Sequence, residues 1–60
     1  MIKETVIKMS IDEEIIGLVA NEMYKKNREF FDKNHLDVTD IIDGIEYAED
    51  YWFFTFIDNE

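Results

Sequence analysis

The sequence predicts a small α+β domain, and three observations predict it. Ile2 to Met9 is dominated by β-branched residues, which favour a strand. A capping signature at Ser10 precedes a long apolar stripe at helical spacing. Tyr51-Trp52-Phe53-Phe54-Thr55-Phe56-Ile57 presents two apolar faces at strand periodicity. The expected order is β-α-α-β, a long first helix packed on a small sheet, with βαββ as the alternative. With 60 residues, no Pro, two Gly, no linker and no internal repeat, residues 1–60 form a single domain.

In the first strand Thr5, Ile7 and Met9 share one face, and Ile2 and Val6 the other. Ser10-Ile11-Asp12-Glu13 then matches the capping box, so the helix is expected to open there. Ile11, Ile15, Leu18, Val19, Met23 and Phe30 recur at helical spacing, with Ile16 and Ala20 widening the stripe, and the helix is expected to end at residues 31–33. Lys25, Lys26, Arg28 and Lys33 suit its C-terminal dipole. The next segment carries two competing signals. Asp43-Gly44 between isoleucines is a hairpin-turn dipeptide. Val38, Ile41, Ile42, Ile45 and Ala48 instead trace one helical face, with Asp37 and Asp40 placed to cap it. The helical reading is favoured, at a cost of about 1 kcal/mol for Gly44.

The last strand sets Trp52, Phe54 and Phe56 on one face and Tyr51, Phe53, Thr55 and Ile57 on the other. One face can pack on the helices, but a chain this short has little left to cover the second. The loop around His35 and Leu36 offers at most a partial cover. A homodimer is therefore expected, joined through that aromatic face (Tyr51, Trp52, Phe53 and Phe54) or by strand edges.

Composition narrows function. There is no Cys, hence no disulfide framework or thiolate metal site, and the single His cannot build an imidazole cluster. The N-terminus does not read as a secretory signal, and no apolar run approaches membrane-spanning length, so a cytoplasmic protein is expected. Fifteen acids face six bases, for a net charge of −9, which disfavours anionic membranes and direct nucleic-acid binding. The acids are segregated. Residues 1–36 hold seven acids and all six bases, whereas residues 37–60 hold eight acids and no base.

Asp12, Glu13 and Glu14 are expected in the first helical turn, where the dipole accounts for them. Glu22, Glu29 and Asp32 have basic neighbours. Asp37, Asp40, Asp43 and Glu46 instead repel one another at i, i+3, and Glu49 and Asp50 would oppose the dipole at a helix C-terminus. Solubility is one explanation for such charge. The other is a cationic partner. Duplex DNA carries about one charge per 110 Å², and the acidic segment, on about a third of an expected ~4,100 Å² surface, about one per 170 Å².

In size, charge, lack of Cys and compact α/β composition the whole chain resembles the small bacteriophage-encoded inhibitors that mimic DNA. That resemblance implies a host-takeover function: a non-enzymatic inhibitor acting in the host cytoplasm. Its targets would be nucleoid, repair, restriction, CRISPR or transcription proteins. Asp37, Asp40, Asp43, Glu46, Glu49 and Asp50 are the candidate partner-binding face, with Asp58 and Glu60 as further members. In the alternative reading Trp52, Phe53 and Phe54 anchor a small regulatory protein to its partner, and acidity serves only solubility.

Other chemistries fit poorly. A calcium loop around Asp43-Gly44 would place Thr39 and Ile41 at ligand positions, so no metal site is expected, only diffuse divalent-ion condensation. His35 reads as a solvated loop residue and Ser10 as a cap, leaving no nucleophile–base pair. No cofactor is implied, and a chain of this length offers little room for a pocket of about 300 Å³ or more.

Overall fold

A computed structural model describes residues 1–59, so Glu60 lies outside the described residues. The β-branched opening segment forms β1 (Ile2–Met9), and the aromatic segment forms β3 (Tyr51–Asn59). Between them run α1 (Ile16–Lys26), α2 (Arg28–Lys33), α3 (Val38–Gly44) and β2 (Ile45–Ala48). The α+β class and the strand-helix-helix-strand order are as expected, with β2 as a further short strand. All pairing is antiparallel, and β3 is central in the sheet order β1-β3-β2.

Register assigns every strand residue to a face, because directly opposed residues project to the same side. Met9, Ile7 and Thr5 stand opposite Trp52, Phe54 and Phe56, while Tyr47 and Ile45 of β2 stand opposite Trp52 and Phe54. This face meets the helices. Val19, Ala20, Met23, Phe31 and Ile41 are fully buried and join Met9, Trp52 and Phe54 in one core. Phe31 packs edge-on against Phe54 at 5.6 Å between centroids, and Phe30 against Phe56 at 5.8 Å.

The first helix departs from expectation at both ends. Ser10 does not cap it: the Ser10 hydroxyl donates to the Asp50 carbonyl across the sheet, and residues 10–15 run as a loop. Glu13 closes that loop by accepting from the amides of Glu14 and Ile15, so the helix begins only at Ile16. Ile15, Ile16 and Leu18 are consequently exposed instead of core-facing. At the other end Asn27 breaks the helix. Its side-chain amide donates back to the Met23 carbonyl, four residues earlier, competing with the backbone ladder as asparagine does. The reset angle places Phe31, not Phe30, at the centre of the core. Tyr24 bridges the break by donating from its hydroxyl to Asp32, a bond that raises the Tyr24 pKa above the ordinary phenol value.

The disputed segment is helical as favoured, but only as far as Gly44, and its hairpin turn lies six residues beyond the dipeptide that signalled one. Asp37 and Asp40 form a reciprocal capping box, with Asp40 N–H to Asp37 Oδ1 at 3.1 Å and Asp37 N–H to Asp40 Oδ2 at 3.0 Å. Helix α3 ends at Gly44, and strand pairing then takes over at Ile45. Asp43-Gly44 is therefore a helix terminus and not a hairpin turn. The hairpin turn is Glu49-Asp50, between Ala48 and Tyr51, with Glu49 at φ 59°. These two acids stand at a strand connection and not at a helix end.

Candidate functional site: the acidic rim and its cleft

The six acids singled out from sequence are all exposed. Asp37, Asp40 and Asp43 ride on α3, Glu46 on the edge strand β2, and Glu49 and Asp50 on the hairpin tip. They follow one continuous stretch of chain along the β2 side of the molecule. Among the described residues no Lys or Arg lies within ion-pairing distance of any of them. The cations that pair do so on the first two helices, Lys25 with Glu22 at 3.9 Å and Arg28 with Asp32 at 3.5 Å. Two of the six acids have a folding role, since Asp37 and Asp40 cap α3. Asp43, Glu46, Glu49 and Asp50 have none of that kind in their side chains. Asp58 does not join them: it sits opposite Lys3, about 23 Å along β3 from the hairpin tip.

Glu49 is informative because it violates a local preference. The first position of a two-residue hairpin turn with positive φ favours Gly, Asn or Asp, and other residues pay a steric cost there. A glutamate holds it, so a carboxylate at the tip comes at the expense of turn stability.

The structure also brings a second group of acids, far away in sequence, close to the hairpin tip. Since α1 begins at Ile16, no acid lies in its first turn, and the dipole explanation for Asp12, Glu13 and Glu14 falls away. Glu13 still serves the loop amides. Asp12 and Glu14 instead line a cleft of about 370 Å³ with Ile11, Glu13, Tyr47 and Trp52. The Ser10–Asp50 hydrogen bond ties the start of this loop to the hairpin tip, so the cleft adjoins the acidic rim. Its size also removes the expectation that the chain is too short to form a recess above 300 Å³. Asp12, Glu14 and Tyr47 are thus site residues that no sequence signal identified, because the misplaced helix start hid the loop.

The aromatic set divides. Trp52 and Phe54 are core residues, 9% and 6% exposed, and do not form an exposed aromatic face for a dimer or partner; Trp52 shows only an edge, at the cleft. Tyr51 and Phe53 lie on the opposite, outer face of β3 with their rings 6.0 Å apart, and Lys8 reaches over Tyr51 at 5.2 Å. Among the described residues this face keeps its apolar side chains open: Ile2 is 72% exposed and Ile57 54%, and Val6, opposite Thr55, is exposed as well. Leu36 packs into the core and does not cover it. His35 is an exposed loop residue, as read from sequence.

Among the described residues no helix is long and apolar enough to cross a membrane. Compared with protein-family models, curated proteins and solved structures, the chain matches none.

Proposed function

We propose that this protein is a non-enzymatic inhibitor that binds a basic, nucleic-acid-binding protein and occupies its DNA-binding surface by charge mimicry, in the cytoplasm of a bacteriophage host. One observation carries the reading: a run of exposed acids along α3, β2 and the hairpin tip, none within 4.0 Å of a Lys or Arg among the described residues, while Lys25 and Arg28 pair with acids on the first two helices. The glutamate held at the strained hairpin position supports it. Uncompensated charge of one sign accelerates association with an oppositely charged partner and makes the complex salt-sensitive. Asp43, Glu46, Glu49 and Asp50 form the contact, with Asp37 and Asp40 adding charge while they hold α3.

The bare outer face of the sheet supports self-association as a homodimer, which would extend the rim to two copies. The reading in which acidity is only solubilising loses two of its three anchors, Trp52 and Phe54, to the core.

The test is capture from host lysate with wild-type protein and with a variant carrying Asp43→Lys, Glu46→Lys and Glu49→Lys, which leaves the α3 capping box intact. Expected is a DNA-binding protein that duplex DNA displaces, that dissociates as salt rises, and that the variant fails to retain. Identical capture by both proteins, or capture indifferent to DNA, refutes the proposal.

A further inference from the structure

The cleft beside the rim differs from the rest of the acidic surface, because it has aromatic walls. Tyr47 and Trp52 are directly opposed across β2 and β3, their ring centroids 5.0 Å apart and inclined at 61°. Tyr47 is 57% exposed, so its ring is open to a ligand. The loop carrying Asp12, Glu13 and Glu14 completes the cleft. Glu13 holds that loop through its own amides, leaving the carboxylates of Asp12 and Glu14 with no hydrogen bond or ion pair among the described residues. The Trp52 Nε1–H is sealed from solvent, with no acceptor among the described residues, so it lies behind the cleft wall and only the indole ring borders the cleft.

We infer that this cleft seats a guanidinium group, an arginine side chain of the basic partner entering between the Tyr47–Trp52 pair and the carboxylates of Asp12 and Glu14. The inference rests on the reading of the protein as a ligand of basic proteins and names the group that anchors it. Aromatic faces attract cations, and guanidinium more often than ammonium, because its planar, weakly hydrated surface stacks while its edge donates to carboxylates. A metal ion suits the cleft less well, because no three acidic or imidazole groups among the described residues are placed to hold one. The cleft also continues, through Ile11 and Glu13, into a groove bordered by Leu18, so an apolar neighbour of the arginine has a surface to lie on.

Trp52 is the single tryptophan, so its indole N–H gives one resolved resonance from the cleft wall. The experiment titrates 15N-labelled protein at low salt with N-acetyl-arginine amide, N-acetyl-citrulline amide (neutral and of matching shape) and Nα-acetyl-lysine amide. Expected is a saturable shift of the Trp52 indole and of the amides at residues 12–14 with the arginine compound. The lysine compound should bind several-fold more weakly, and the citrulline compound should leave the spectrum unchanged. Tyr47→Ala should weaken arginine binding about tenfold, and Glu14→Gln, on an exposed loop residue, should weaken it without touching the core. Equal binding of all three compounds, no shift with arginine, or arginine binding indifferent to both substitutions would overturn the inference. The lysate capture reads acids outside the cleft. Arginine binding with no DNA-displaceable partner would thus refute the proposed function alone, and the reverse result the cleft alone.

Discussion

Gly44 and Gly17 show how one residue type can be required at one position and incidental at another. A Cβ on Gly44 would come within 2.8 Å of Phe54 Cε1, and Phe54 cannot retreat because its ring packs against Phe31 in the core. Gly44→Ala should therefore destabilise the fold by about 1–3 kcal/mol, the usual cost of overpacking, despite its better helix propensity. A Cβ on Gly17 meets nothing within 4 Å, so Gly17→Ala should stabilise by roughly 0.5–1 kcal/mol. Urea midpoints moving in opposite directions would confirm the pair, and a neutral Gly44→Ala would show that the α3–β3 contact is looser than described. The close approach at Gly44 lets α3 turn directly into β2, and so it places Asp43 and Glu46 at one edge of the molecule.

Capping chemistry decides the architecture at the level of elements. Two stretches carry a cap signature, and only one is used. At Asp37 the carboxylate and the Asp40 carboxylate satisfy each other's amides, whereas at Ser10 the hydroxyl is diverted to the Asp50 carbonyl by the sheet. Asp37→Ala should therefore cost about 0.5–2 kcal/mol in chemical denaturation. Ser10→Ala, which removes only an exposed 3.4 Å bond, should cost well under 1 kcal/mol. Equal losses would mean that Ser10 organises the helix after all. The diversion has a functional side, because it frees the loop from helix and lets Asp12 and Glu14 face Tyr47 and Trp52.

For the molecule as a whole, net charge and fold work against each other. A charge of −9 on a surface of 4526 Å² opposes compaction, since the rim acids repel one another with no cation in reach among the described residues. Raising NaCl from about 0.01 to 0.1 M shortens the screening length from about 30 to 10 Å, which should raise the thermal midpoint of the free protein. Association with a basic partner should weaken over the same range. A midpoint that falls with salt would indicate that attractive pairs dominate the surface, and the rim would lose its significance. The outer sheet face acts in the other direction: its covering by a second copy would add apolar burial to a core that a 60-residue chain can barely supply.

Local chemistry was enough to read β1, both faces of β3, the helical run from Val38 and the exposed acids of the second half. In each case a short period or a cap has one favourable solution within a few residues. The sequence also carried the charge segregation outright, because no folding step can supply a base to residues that contain none. Three things were decided only by tertiary structure: the late start of α1, the break at Asn27 that buries Phe31, and the conversion of residues 45–50 into a hairpin. Each is a competition between a local preference and a partner distant in sequence. Asp50 takes the Ser10 hydroxyl, the core admits Phe31 instead of Phe30, and β3 offers Ile45–Ala48 a hydrogen-bonded edge. The aromatic-walled cleft is the product of all these outcomes together. It joins loop residues 11–14 to Tyr47 and Trp52, over thirty positions away, and no local pattern encodes a contact of that range.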